Sequence, residues 1–241
     1  MAQMTRGKIC VSLAGADVAA LIAQASQVTE RADVIEVRLD SMSHPDVQAC
    51  CAALDTPLLF TNRPSWEGGA FSGSEEQRIE PLLEAVQQQA AYVDCELRAD
   101  LSLRGQLLEA MSGSPTRMIL SWHNFEKTPP QAELEDVLAQ MMESGARTDT
   151  PGKLVGKIIG KIVTTAHSPE DALRVLRLQE QAKAANFPLS CFCMGEPGRI
   201  TRLATLYLGG SMTYACLNDA QATAPGQLSL EQLQKMTTLL A

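Results

Sequence analysis

Two side chains in this sequence are of the right types to do covalent chemistry together. One is His123, in Ser121-Trp122-His123-Asn124-Phe125; the other is Lys161, in the apolar run Ile158-Ile159-Gly160-Lys161-Ile162-Val163. An ammonium inside a strand-like apolar run is costly to bury charged, so its pKa is expected to fall towards neutrality. An amine of that kind adds to ketones and forms imines. Histidine titrates near neutral pH and is the usual proton carrier beside such an amine. The same run offers a second lysine, Lys157, two strand periods before Lys161 and so on the same face. It is expected to lie deeper, towards the amino ends of the strands, where a second ammonium would depress Lys161 further. The plainer alternatives are a lysine whose stem lies along apolar surface with its head in water, and a histidine satisfied by ordinary structural contacts. Of the other histidines, His44 lies in a serine-rich turn and His167 in the loop after the lysine strand.

The elements that must hold these groups alternate along the chain. Strands are expected at Lys8–Gly15, Asp33–Asp40, Pro57–Arg63, Ala90–Leu97, Thr116–His123, Gly156–Thr165, Pro188–Met194 and Ser211–Leu217. Helices are expected at Ala16–Glu30, Pro45–Ala53, Glu75–Gln89, Leu101–Met111, Gln131–Glu143, Pro169–Ala185, Arg199–Tyr207 and Leu230–Leu240. Short, nearly continuous apolar runs alternating with amphipathic helices mean parallel strands covered by helices. Eight such units in 241 residues match a (β/α)₈ TIM barrel, an α/β fold, as one catalytic domain over residues 1–241. An open doubly wound sheet would ask for a glycine-rich phosphate turn after the first strand, and Gly15-Ala16-Asp17 is not one.

A barrel makes a positional claim, because active sites of this fold sit at the carboxyl ends of the strands. The polar residues expected there are Ser12, Glu36 and Arg38, Arg63, Asp94 and Glu96, His123 and Lys161. So many ionisable groups at the ends of buried strands describe a pocket with several titrating members. Glu36, Arg38 and Asp40 share one strand face, as a structural ion pair or as a grip on a polar ligand. Arg63 opens the loop Arg63-Pro64-Ser65-Trp66-Glu67-Gly68-Gly69, whose glycines are read as freeing it to move. Thr223-Ala224-Pro225-Gly226-Gln227 follows the last strand, and its hydroxyl and amide can hydrogen-bond a ligand, or simply form a turn.

Composition narrows the field. A net charge of −8 argues against nucleic acid or an anionic membrane as partner. No stretch reads as a membrane span, and Met1–Lys8 leads into a strand without the apolar core of a signal peptide. Seven cysteines, mostly inside apolar runs and with no CxxC pair, read as reduced thiols of a cytoplasmic protein.

Taken in order, these segments resemble type I 3-dehydroquinate dehydratases, the imine-forming dehydratases of the shikimate pathway. The resemblance rests on Lys8-Ile9-Cys10-Val11-Ser12-Leu13, Glu36-Val37-Arg38, Thr61-Asn62-Arg63 with Glu67-Gly68-Gly69, and Tyr92-Val93-Asp94-Cys95-Glu96. It continues through Ser121-Trp122-His123-Asn124-Phe125 with Lys127-Thr128-Pro129, Lys161-Ile162-Val163 with Ser168-Pro169, Met194-Gly195 to Thr201-Arg202, and Ala224-Pro225-Gly226-Gln227. It implies that Lys161 forms the imine and His123 moves the protons. It further implies that Arg202 takes the substrate carboxylate, that Ser12, Arg38, Arg63, Thr223 and Gln227 hold the remaining groups, and that Glu36 orients His123 or Arg63. A small-molecule substrate, a homodimer, and no metal or cofactor are implied as well, since the imine supplies the electrophile. Three features depart from the pattern: Asn124 for an aspartate, expected to lower the imidazole pKa; Thr223 for a serine; and a long segment at Met142–Val155.

Overall fold

The computed structural model describes residues 6–146 and 156–240. Its strands are β1 (Lys8–Leu13), β2 (Val34–Arg38), β3 (Leu58–Thr61), β4 (Tyr92–Glu96), β5 (Arg117–His123), β6 (Ile158–Thr165), β7 (Leu189–Met194) and β8 (Met212–Cys216). The helices between and after them are α1 (Val18–Ala25), α2 (Val47–Ala53), α3 (Glu75–Gln87), α4 (Leu101–Met111), α5 (Gln131–Ala146), α6 (Pro169–Ala184), α7 (Arg199–Tyr207) and α8 (Leu230–Leu239). Of the long segment Met142–Val155, residues 142–146 end α5 and 147–155 lie outside the described residues.

All ladders are parallel, in the order β7-β6-β5-β4-β3-β2-β1-β8. The ends of this order meet where the Ser211 amide donates to the Leu189 carbonyl at 2.8 Å and the Met212 amide to Ser190 Oγ at 3.1 Å. The fold is the expected (β/α)₈ barrel. Among the described residues no helix is long and apolar enough to cross a membrane, and all seven cysteines are free thiols.

Local chemistry starts the helices. Asp17, Asp46, Ser74 and Ser229 each accept a backbone amide at an N-cap, satisfying donors that the first turn leaves open. α1 stops at Ala25, short of the expected Glu30. There the chain tightens into turns in which the Gln27 amide donates to the Gln24 carbonyl at 3.1 Å, the Val28 amide to the Ala25 carbonyl at 2.9 Å and the Arg31 amide to the Val28 carbonyl at 2.8 Å.

Strand alternation sorts each strand's side chains into two sets. Ile9, Val11, Ile35, Val37, Phe60, Val93, Leu120 and Ile162 face outward and pack under Leu21, Val47, Leu82, Leu107, Leu134, Val175 and Leu233 of the helices. Inside the barrel, Val34, Tyr92, Ile159 and Met212 come from even-numbered strands and join one apolar plug with Cys10, Leu59 and Ile119. Two residues further along those same even strands stand Glu36, Asp94, Lys161 and Tyr214. Layers of four from alternate strands are how this fold fills its interior. Here the plug gives way abruptly to a layer of two carboxylates, an amine and a phenol.

Candidate active site

Lys161 belongs to that layer. Its Nζ lies 3.3 Å from Asp94 Oδ2, 3.9 Å from Glu36 Oε1 and 4.0 Å from the centroid of the Tyr214 ring. The apolar run around it in sequence therefore describes its strand neighbours and not its own surroundings, which are anionic and aromatic. Lys157 does not share the site: its amine donates to the carbonyl of Ser114, ahead of β5 at the opposite end of the barrel. No second ammonium lies beside Lys161 from that source.

Glu36 was expected to orient His123 or Arg63; it hydrogen-bonds to neither, and its close contacts lie elsewhere. It accepts hydrogen bonds from Ser12 Oγ and, at 2.8 Å, from Thr61 Oγ1, which turns its remaining charge towards Lys161. Arg63 is gripped by others: Asp94 at 2.8 Å, Glu96 at 2.5 Å, and Glu67 at 3.6 Å, with Ser121 Oγ at 2.7 Å. Burial opposes a charged guanidinium there, but Asp94, Glu96 and Glu67 more than offset it, and Arg63 is held above its usual pKa. Glu96 in turn binds the wholly buried Arg78 at 2.5 Å. Arg38 is engaged twice by Asp40, at 2.8 and 2.7 Å. Both arginines line the pocket with their charge already matched.

His123, at the end of β5, is oriented by Glu67, whose Oε2 lies 3.0 Å from Nδ1. With Glu67 ionised, Nδ1–H donates to it and Nε2 is the nitrogen left to work. Burial first, and then the positive charges of Arg63, Lys161, Arg38 and Arg98, push the His123 imidazole well below its ordinary pKa, so it rests neutral. The Asn124 amide oxygen accepts the Glu126 and Lys127 amides and shapes the loop after β5. Glu67 is pushed up to about 7 by burial, against the pull of Arg63.

The turn that delivers Glu67 is fixed, not free. The Gly69 amide donates to the Pro64 carbonyl at 2.9 Å and the Phe71 amide to the Arg63 carbonyl at 3.1 Å. Gly68 adopts φ +77°, and a Cβ there would meet the Phe125 ring at 2.2 Å. Phe125 thus seats on the turn while stacking over His123, ring centroids 6.0 Å apart.

Arg202, on α7, differs from the other arginines. It is wholly buried, its Nε has no partner among the described residues, and its guanidinium lies 4.8 Å from the centroid of the Phe192 ring and donates to the Pro225 carbonyl at 3.5 Å. Burial pulls its pKa down to about 10. A buried cation with no carboxylate is expensive unless an anion arrives from outside. Across from it, Thr223 Oγ1 and amide both donate to Gln227 Oε1, at 3.1 and 2.8 Å, which turns the Gln227 amide nitrogen towards the Tyr214 carbonyl at 3.5 Å.

One pocket is lined by the nine residues given catalytic or substrate-holding roles from sequence: Ser12, Glu36, Arg38, Arg63, His123, Lys161, Arg202, Thr223 and Gln227. Asp94 and Glu96, expected at the same strand ends, are wholly buried and do not line it. It also takes in Glu67, Phe125, Phe192, Met194 and Tyr214, which sequence reading did not select. Strand parity held the signal for Tyr214, two residues beyond the inward-facing Met212. For Glu67 the only signal was its place in the Glu-Gly-Gly turn.

A (β/α)₈ barrel carrying an amine, an imidazole and an unmatched guanidinium at the carboxyl ends of its strands has the plan of a barrel enzyme. Similarity to known proteins narrows that class. The chain belongs to the type I 3-dehydroquinase family, whose model matches residues 9–241. It is 42% identical over 227 residues to a 3-dehydroquinate dehydratase of Desulfotalea psychrophila, covering 94% of this chain and 95% of that one. It is 32% identical over 232 residues to one of Methanococcus maripaludis, covering 96% and 99%. Among solved structures, the Geobacillus kaustophilus 3-dehydroquinate dehydratase superposes with a TM-score of 0.85 at 26% identity, covering 98% of this chain and 91% of that one. A type I enzyme from Clostridium difficile, described as bearing covalently modified comenic acid, gives 0.84 at 25%, covering 98% and 92%.

Proposed function

We propose that this chain dehydrates 3-dehydroquinate to 3-dehydroshikimate in the shikimate pathway, as a hydro-lyase working through an imine on Lys161. Family membership supports the substrate. The observation that carries the chemistry is the coincidence, in one pocket, of the Lys161 amine, the neutral His123 imidazole and the unmatched Arg202 guanidinium. The substrate is a hydroxylated cyclohexanone carboxylate, so it presents a ketone to the amine and an anion to the guanidinium.

Lys161 adds to the C3 carbonyl, and the carbinolamine loses water to give a protonated imine. The imine is an electron sink that acidifies C2. His123 Nε2 takes the C2 proton, forming an enamine, and the imidazolium is stabilised by Glu67 through Nδ1. Collapse of the enamine expels the C1 hydroxyl, which leaves as water with the proton from His123. One water then hydrolyses the product imine and frees Lys161, so the net change is loss of one water. Asp94 and Glu36 stand where an amine proton is exchanged during addition.

Borohydride reduction in the presence of 3-dehydroquinate, followed by peptide mass spectrometry, tests this reading. A reduced adduct on Lys161, lost in Lys161→Met, is expected. An adduct on Lys157 would keep the reaction class but overturn the choice of amine. No adduct and no enone absorbance would refute the function.

A further inference from the structure

Arg98 lies outside the pocket, in the turn after β4, with its side chain 50% exposed. Its guanidinium reaches Glu67 Oε1 at 3.1 Å from Nη2 and 3.2 Å from Nε, and Nη2 also donates to the His123 carbonyl at 2.9 Å. Its Cζ lies over the Trp122 ring, 5.7 Å from the centroid, which sets the arm along β5. One side chain thus ties together the turn that carries Glu67 and the strand end that carries His123.

The charges nearby explain why that tie matters. Ion pairs join four buried carboxylates, Glu36, Glu67, Asp94 and Glu96, to the buried cations Lys161, Arg63 and Arg78, and Arg98 is the fourth cation. Arg63 is shared, and Glu67 has the smallest part of it: 3.6 Å, against 2.8 Å for Asp94 and 2.5 Å for Glu96. The groups facing Glu67 are Arg63 from the end of β3, Asp94 and Glu96 from β4, Arg98 from the turn after it, and His123 from β5. Asp94 and Glu96 oppose its ionisation, while Arg63 and Arg98 favour it.

We propose that Arg98 is a positioning residue for the proton-transfer step, fixing Glu67 as the anionic acceptor of the His123 Nδ1 proton. It does not touch the pocket, and it acts only through Glu67 and the His123 backbone. Because it is half exposed, its hold on Glu67 weakens with salt.

The kinetic part of the test rests on the proposed function; the titration does not. Carbon-13 NMR of glutamate-labelled full-length protein, with Glu67 assigned through Glu67→Gln, reads the Glu67 titration without substrate. In Arg98→Gln the Glu67 midpoint is expected to rise by roughly 0.5–1 pH unit, with Arg98→Lys restoring most of the difference. The acid limb of kcat/KM for 3-dehydroquinate should move by the same amount. Activity would be lower by about two- to five-fold at pH 7 and near wild type at pH 9. An unmoved midpoint in Arg98→Gln, or a loss of activity equal at every pH, would overturn the proposal. Should Arg98→Gln not fold, wild-type protein carries the test: its Glu67 midpoint must climb as NaCl is raised to about 0.5 M, and a salt-independent midpoint overturns the proposal.

Discussion

Replacing Arg202 by methionine should make this protein more stable and a much poorer enzyme. The guanidinium is buried without a carboxylate among the described residues, and burial pulls its pKa from the ordinary arginine range down to about 10. A base whose folded pKa lies below its unfolded one binds fewer protons when folded, so charging it opposes folding. That penalty is fully present below about pH 10 and is relieved only as pH rises from there towards the unfolded arginine's own value. A gap of ~2.5 units corresponds to ~3 kcal/mol at neutral pH. Methionine fills a similar volume but gives up the contact with the Phe192 ring, worth ~1 kcal/mol. The net gain is about 1–2 kcal/mol, or about 2–8 °C in Tm for a chain of this size. Binding moves the other way. Losing a buried guanidinium–carboxylate pair costs about 2–5 kcal/mol, which is roughly 30- to 5,000-fold in kcat/KM and falls mainly on KM. Thermal melts of the ligand-free protein and initial rates of enone formation measure the two arms. A variant that melts lower than wild type, or that keeps kcat/KM within three-fold, would refute the assignment of Arg202 as an unmatched anion site.

Two further outcomes follow from the buried charges. Glu67→Gln should lower kcat on the order of 10²-fold and remove the acid limb of the pH–rate profile. The sign comes from Glu67 itself: its carboxyl, pushed up to about 7, supports His123 only when ionised, so wild-type activity falls as pH drops through that value. A variant profile from pH 5 to 9 that keeps the wild-type limb would assign the limb to another group. Arg78→Met should destabilise by about 3–5 kcal/mol in urea unfolding, because it strands Glu96 as a buried charge sharing only Arg63; an unchanged midpoint would show that Glu96 is not charged in the folded protein.

The sequence by itself determined the barrel, because parallel strands buried on both faces leave a local trace in short apolar runs, and the helices between them leave another. It determined which positions gather towards the mouth, since the fold opens at its strand ends, where Ser12, Arg63 and His123 fall, and Glu36 and Lys161 lie on the inward faces of β2 and β6 ahead of those ends. It did not determine what each of those side chains meets. Lys161 sits in an apolar run along the chain yet faces Asp94 and Glu36, because a residue's pocket neighbours come from the other strands of its layer. Glu67 and His123 are 56 residues apart, and their hydrogen bond exists only because the third and fifth strand ends converge at the mouth. Arg38 has its carboxylate two residues away in Asp40, a pairing the sequence already offered, but Arg63 and Arg202 are indistinguishable as letters; barrel closure brings Asp94 and Glu96 to Arg63 and, among the described residues, no carboxylate to Arg202. Burial and pairing are properties of the closed barrel, and the state of each ionisable group follows from them.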